Sequence, residues 1–156
     1  MPPGVVVLTP SLADGFADAG ATVAPIADVD DVDAAIAALR GDGVHGVYVA
    51  GAGPTAHAAF LQAAREDVAG VVGIDGRSPL DEAWAGALRA PVVALYSEDA
   101  VAEAQAFAEA LGKAGVLQET VVYDGVRAGF FERGDPPEAV ADAWRVALRF
   151  IGLGAG

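Results

Sequence analysis

Few side chains in this sequence could carry nucleophilic or acid–base chemistry. It has no cysteine, which excludes a thiolate nucleophile, thiolate metal sites and disulfides. Of the two histidines, His45 begins an apolar run and His57 lies in a stretch with helical spacing. Ser11, Ser78 and Ser97 each follow an apolar run, but none has a base beside it in the sequence. A site built on one of these serines stays open as an alternative. His57 is near enough to the carboxyl edge of the predicted sheet to be considered, although a helix histidine is more often a surface or packing residue.

Two other patterns bear on cofactors and metals. Gly51-Ala52-Gly53 is similar to the start of a dinucleotide-binding turn, but the third glycine would fall at Ala56 and no strand ending in an acid follows at the usual distance. Four carboxylates precede or begin a predicted helix, at Asp28, Asp30, Asp31 and Asp33. Hard cations bind such groups, but the spacing lacks the glycine and closing glutamate of a calcium loop. We interpret the cluster as favourable helix N-terminal charge and expect neither a cofactor nor a metal.

Composition limits the classes of partner. The formal net charge of −13 argues against nucleic acids and anionic membranes, which bind proteins through Lys and Arg. No segment reaches the roughly 18 apolar residues of a membrane span, and no basic stretch precedes an apolar run at the N-terminus. These features predict a cytoplasmic protein. The acidic, Ala- and Gly-rich composition is typical of high-GC bacteria.

The elements that must position these residues alternate along the chain. Short apolar, β-branched runs are predicted strands, at 5–8, 22–26, 44–50, 68–74, 91–96 and 119–123. Stretches with helical spacing follow them, at 12–19, 32–40, 54–65, 81–88, 99–113 and 137–151. This alternation predicts an α/β fold, a doubly wound, mostly parallel sheet of about six strands flanked by helices. No composition shift marks a boundary, so residues 1–156 are predicted to form a single domain, with a frayed tail at 152–156.

Four segments carry a family resemblance. PVVALYSED at 91–99 and VVYDGVRAGFFERGDPPEAVADAWRVALRFI at 121–151 resemble the acid-bearing strand, histidine loop and closing helix of the dienelactone hydrolases. PGVVVLTPS at 3–11 is similar to their strand with the oxyanion loop, and GVYVAGAG at 46–53 corresponds to their nucleophile turn. The resemblance implies a shortened, minimal α/β-hydrolase fold without the leading strands of the family.

The resemblance also implies where catalytic residues should lie. In α/β-hydrolases a Ser or Cys occupies the centre of a G-x-S-x-G turn. Here that centre is Gly51, or Gly53 if the frame shifts by two. The position of the family's histidine holds Ala128, which leaves Asp99, or Glu98 beside it, as a residual acid with nothing to orient. Since the triad acts as a unit, we expect a catalytically degenerate protein.

Loops at the carboxyl ends of the strands form the predicted ligand pocket. Its residues are Thr9, Pro10, Ser11, Gly51, Ala52, Asp75, Ser97, Glu98, Asp99, Arg127 and Phe130. Arg127, next to the vacant histidine position, could pair with Asp99 or hold a substrate carboxylate. A plain surface arginine is the alternative.

Three functions are compatible with these observations. The first is binding of a small molecule, or its rearrangement without a covalent intermediate. The second is a structural or regulatory module that forms a homodimer, because the missing leading strands would expose a sheet edge that must be covered. The third is an ester or lactone hydrolase with a non-standard nucleophile.

Overall fold

A computed structural model describes residues 2–79 and 87–153. Their strands form one sheet in the order β2-β1-β3-β4-β5-β6, and every neighbouring pair is parallel. The strands are β1 Gly4–Val7, β2 Thr22–Pro25, β3 Val47–Ala52, β4 Gly70–Ile74, β5 Val92–Ser97 and β6 Gln118–Tyr123. The predicted doubly wound parallel sheet is confirmed, with strand ends that coincide with the prediction or shift by up to three residues.

Helices connect these strands. The α-helices of the described residues are α1 Ala13–Asp18, α2 Val32–Gly41, α3 Ala56–Leu61, α4 Val101–Lys113, α5 Phe130–Arg133 and α6 Pro137–Phe150. The helix predicted at 54–65 has α3 as its centre, with the 3-10 turns Gly53–Thr55 and Gln62–Ala64 at its ends. The one-turn helix α5 was not predicted. Residues 81–86 of the helix predicted at 81–88, and 154–156 of the tail, lie outside the described residues. Within the described part of the chain, no helix is long and apolar enough to span a membrane.

The core consists of one layer on each face of the sheet. Because side chains alternate along a strand, Val6 and Val49 face α2, α3 and α4, while Val5 and Val7 face α1, α5 and α6. All four valines are fully buried, which explains why the strands are continuous apolar runs.

Glycine lets helix α3 lie close to the sheet. A Cβ atom on Gly73 in β4 would lie 2.6 Å from Cε1 of Phe60, a ring of α3. The Phe60 ring packs in turn on Phe107 of α4, with 4.9 Å between ring centroids. Gly73 therefore leaves space for the Phe60–Phe107 pair, which packs α3 and α4 against the same face of the sheet.

Strand order reverses between β1 and β3, since the chain moves outward from β1 to β2 and then continues on the other side of β1. The carboxyl ends of parallel strands lie at one edge, and ligands of open α/β sheets bind outside that edge at such a reversal. The loops after β1, β3, β4 and β5 meet there. His45 lies before β3, at the opposite edge, as the sequence predicted.

Candidate functional site

The turn after β3 is centred on Gly53, not on Gly51. Gly53 has a φ of +57°, in the left-handed region, whereas Gly51 is a strand residue within β3. A Cβ atom on Gly51 would lie 2.5 Å from the carbonyl oxygen of Thr55, too close for any side chain. On Gly53 it would lie 3.4 Å from Oε1 of Glu132, at the tip of a flexible side chain. Of these two glycines, only Gly53 has room for a side chain. The predicted G-x-S-x-G frame with Gly51 at its centre is therefore wrong, and the frame with Gly53 at its centre fits the turn.

Residue 54 removes a second element of hydrolase chemistry. In α/β-hydrolases the backbone N–H of the residue after the nucleophile helps to bind the oxyanion. Here that residue is Pro54, which has no N–H. The sequence contains this signal, since Pro54 directly follows Gly53.

Thr9 stabilises the turn. Its Oγ1 donates to the carbonyl oxygen of Ala52 at 3.1 Å and accepts from the Ala52 N–H at 3.2 Å. Thr55 Oγ1 also contacts Thr9 Oγ1 and accepts from the Ala52 N–H. The two hydroxyls thus fix the end of β3 against the loop after β1.

Several residues predicted to bind ligand lie outside the two surface depressions that the structure has at the carboxyl edge of the sheet. Ala52 and Gly51 are buried in β3, and Pro10 and Ser11 are exposed in the 3-10 turn Pro10–Leu12. The hydroxyl of Thr9 is already engaged in hydrogen bonds with Ala52 and Thr55. Glu98, also outside the depressions, accepts a 3.1 Å hydrogen bond from the Gly125 N–H.

The carboxylate of Asp99, the residual acid, is bound to the backbone N–H of Ala128. Ala128 is the position that the family resemblance assigns to a histidine. Its Oδ1 and Oδ2 lie 3.1 Å and 3.2 Å from the backbone nitrogen of Ala128, and Oδ1 also accepts from the Ser97 hydroxyl. The Ser97 hydrogen bond, followed by that of the Ala128 N–H, lowers the pKa of Asp99 below its ordinary value. Arg127 forms no ion pair with Asp99 and contributes only a weaker charge effect to that pKa. Asp99 therefore stabilises the loop that contains Ala128 by accepting hydrogen bonds from its backbone.

Asp75 clamps the following segment. It directly follows β4 and has a φ of +57°, an uncommon conformation for a residue other than glycine. Its Oδ1 accepts from the Gly129 N–H at 3.2 Å and its Oδ2 from the Phe131 N–H at 3.3 Å. Burial raises the pKa of Asp75, and these two hydrogen bonds oppose the rise. Asp75 therefore fixes the start of α5.

Phe130 is a core residue rather than a ligand contact. It is 0% exposed and packs on Tyr123, with 5.6 Å between ring centroids. The sequence pattern could not distinguish an aromatic residue that lines a pocket from one that anchors a loop in the core.

Two adjoining depressions occupy the carboxyl edge of the sheet. The first, of about 540 Å³, is lined by Asp75, Gly76, Arg77, Tyr96, Ser97, Asp99, Ala100, Ala102, Glu103 and Ala128. It brings together three predicted ligand-binding residues, Asp75, Ser97 and Asp99, and the vacant histidine position at Ala128. Ser78, the loop serine considered as a nucleophile, is buried and its hydroxyl bonds to that of Tyr96, whose pKa is raised by burial. Its partner is therefore a phenol and not an imidazole.

The second depression, of about 410 Å³, lies over the turn at Gly53. It is lined by Gly53, Pro54, His57, Asp75, Gly76, Arg77, Gly129 and Glu132. Asp75, Gly76 and Arg77 line both depressions, so the two are continuous. His57 and Glu132 thus face one groove. Glu132 was not predicted, because no local pattern connects a residue of α5 to the turn after β3.

The aspartate cluster before α2 is a helix start. Asp28 Oδ1 accepts from the Asp30 N–H at 2.9 Å, and Asp33 forms an ion pair with Arg65. In residues 2–79 and 87–153, no group of three or more histidine, aspartate or glutamate side chains is arranged to hold a metal ion.

The fold is similar to solved hydrolases. A brefeldin A esterase, described as a bacterial homologue of human hormone-sensitive lipase, matches 97% of this chain and 68% of its own at a TM-score of 0.75 and 17% identity. An acylaminoacyl peptidase from Pyrococcus horikoshii matches 96% of this chain with a TM-score of 0.77 and 11% identity, and the chain spans 36% of that protein's length. A dienelactone hydrolase from Anabaena variabilis gives a TM-score of 0.69 at 16% identity, over 96% of this chain and 85% of that one.

These identities are low, so the structural likeness concerns the fold alone. No curated protein matches the sequence significantly. A family model does match it, that of the dienelactone hydrolases, over residues 17–153. This match covers nearly the whole chain and includes the turn at Gly53, Asp99 and the loop that contains Ala128. The chain therefore belongs to the dienelactone hydrolase family.

Proposed function

We propose that this protein is a catalytically degenerate member of its family, which binds a small molecule in the two depressions and forms no covalent intermediate with it. The observation that carries the proposal is the turn after β3, where a glycine in the left-handed conformation is followed by a proline. That turn supplies neither a nucleophile nor its oxyanion donor.

The expected loss of hydrolytic rate is large. Removing triad members costs on the order of a million-fold in kcat. Removing one oxyanion donor costs about 100- to 1000-fold by itself. Ala128 supplies no base, and Asp99 already bonds to the Ala128 N–H. Hydrolysis through an acyl-enzyme is therefore not the function that these residues support.

The depressions support binding. Their volumes, about 540 Å³ and about 410 Å³, fall in the range of about 300–1000 Å³ typical of small-molecule sites. The exposed carboxylate of Asp99 offers hydrogen-bond acceptors, while Arg77 lies between the two depressions and forms no ion pair with any described residue. A compact ligand with both polar and apolar parts fits this lining.

Two measurements test the proposal. Thermal-shift screening against lactones, ketones and small carboxylic acids is expected to give at least one compound that raises Tm. Ala128→Trp, which adds bulk inside the first depression, should abolish the shift. Ala106→Trp, on an exposed position of α4, is the matched control and should retain it. A shift that survives in Ala128→Trp would contradict binding at this edge.

A chromogenic ester and a serine-reactive phosphonate probe test the absence of covalent chemistry. We expect no turnover above that of a boiled sample and no labelled residue by mass spectrometry. Turnover together with labelling of a serine would instead support the alternative of a hydrolase with a non-standard nucleophile.

Self-association stays a prediction of the sequence. β2 and β6 are the outer strands of the sheet, and an open edge is a place where a second copy could pair. Light scattering at high micromolar concentration tests it, and a mass of one chain would count against it.

A further inference from the structure

Glycine at position 53 makes room for a carboxylate. Oε1 of Glu132 lies 3.4 Å from the place where a Cβ atom of residue 53 would be. The space that a nucleophile's side chain would enter is therefore bordered by a carboxylate from α5. The site thus lacks a nucleophilic side chain at residue 53 but has the carboxylate of Glu132, which can act as a base.

Glu132 is held in this place by its short helix. Asp75 binds the Gly129 and Phe131 N–H groups, and the rings of Phe130 and Phe131 are buried. Both oxygens of Asp75 are thus occupied. In contrast, no hydrogen bond or ion pair with another described residue engages the carboxylate of Glu132. Glu132 is consequently the carboxylate of this groove that is free to act on a ligand.

His57 supplies the complementary group. It is exposed on α3 and lines the same groove of about 410 Å³ as Glu132. A carboxylate and an imidazole on either side of a ligand are a pair suited to moving a proton. Because Pro54 gives the turn no oxyanion donor, attack at a carbonyl carbon is disfavoured, while removal of a proton from the adjacent carbon needs only a base and a proton donor.

We infer that Glu132 and His57 form an acid–base site for a small, neutral carbonyl compound with an acidic C–H bond, such as a β,γ-unsaturated ketone or lactone. Glu132 takes the proton from the carbon next to the carbonyl, and the C–H electron pair forms a C=C bond. The carbonyl π pair moves to oxygen, which takes a proton from a ring N–H of His57. In a substrate with a C=C bond between its β and γ carbons, Glu132 returns the proton to the γ carbon and the C=C bond shifts next to the carbonyl. The enol O–H proton goes back to His57 and the C=O bond re-forms, so the product is an isomer and both side chains are restored.

A neutral substrate follows from charge. The chain has a formal net charge of −13, and four carboxylates, those of Asp75, Asp99, Glu103 and Glu132, line the depressions and outnumber the charge of Arg77, which lies between them. This arrangement repels anions. The inference rests on the proposed function, since it assumes that a ligand binds at this edge without a covalent bond.

A probe reaction tests the base. With 5-nitrobenzisoxazole, a base removes the ring C–H proton, the electron pair forms a nitrile, and the N–O bond breaks to give a coloured phenoxide. We expect saturable turnover by the native protein. Glu132→Gln should lower kcat/KM by about 100-fold, the low end for general-base catalysis. Glu132→Asp, which keeps a carboxylate, should fall between the two.

Controls make the result decisive. Glu109→Gln removes an exposed carboxylate on α4, outside the groove, and should leave the rate unchanged. With this probe His57→Gln should change the rate little, because the phenoxide leaves without taking up a proton. With a β,γ-unsaturated ketone, whose oxygen must take up a proton, His57→Gln should lower kcat with little change in KM. Because Glu132 is exposed, its variants should fold, which circular dichroism can check.

Native protein that is no faster than an equal concentration of acetate, or a Glu132→Gln variant as fast as native, would overturn the inference. The proposed function would survive either result if a ligand still raises Tm. It would fail separately if the phosphonate labels a residue.

Discussion

The double variant Gly53→Ser/Ala128→His returns a hydroxyl and an imidazole to the two positions that lack them. Serine fits at residue 53, because Oε1 of Glu132, at 3.4 Å, is the nearest atom that its Cβ would meet. The left-handed φ of +57° costs roughly 1–2 kcal/mol for a residue with a side chain. Asp99 is already beside residue 128.

The double variant still lacks the oxyanion donor, because residue 54 is proline. Adding Pro54→Ala supplies that N–H. One such donor is worth about 100- to 1000-fold in kcat, or roughly 3–4 kcal/mol. We therefore expect the triple variant to hydrolyse 4-nitrophenyl acetate at least about 100-fold faster than the double variant.

Release of 4-nitrophenolate gives the rates, and mass spectrometry after phosphonate treatment locates the reactive serine. Gly51→Ser/Ala128→His is the matched control: its added Cβ would lie 2.5 Å from the Thr55 carbonyl oxygen, so it should gain no activity and lose stability. Equal rates for the double and triple variants would refute the role given to Pro54. A triple variant that neither labels nor hydrolyses the ester would refute the assignment of these positions to one site.

Three further predictions concern stability. Gly73→Ala should lower the free energy of unfolding by about 3 kcal/mol through its clash with the buried Phe60 ring, whereas exposed Gly41→Ala should not; equal denaturant midpoints would contradict the packing argument. Asp75→Ala should cost about 2 kcal/mol because two backbone N–H groups lose their acceptor, and faster amide exchange at the start of α5 should accompany the loss. The pKa of Asp99 is lowered on folding, so its contribution is present above the ordinary aspartate pKa and is lost as pH falls through the folded value. Asp99→Asn should therefore flatten the decline of stability below about pH 4, and an unchanged profile would count against this stabilising role of Asp99.

Local pattern carried much of the fold prediction. Apolar, β-branched runs with helical stretches between them give the strand and helix order directly, since burial on both faces of a parallel sheet leaves a mark on each strand. The family resemblance identified Asp99 and the position of Ala128. It did not predict α5, because a one-turn helix bounded by the left-handed Gly129 and Gly134 is too short for a periodic signal.

The sequence by itself determined that this protein lacks cysteine, and its resemblance to the family implied a glycine at either possible turn centre and an alanine at the histidine position. Only the tertiary structure decided that the turn centre is Gly53, that Asp75 binds the start of α5, and that Glu132 lies over the vacated space. The physical reason is the range of the interactions. Periodicity and residue type are properties of neighbouring positions, whereas these contacts join loops that the parallel strands bring to one edge from distant parts of the chain.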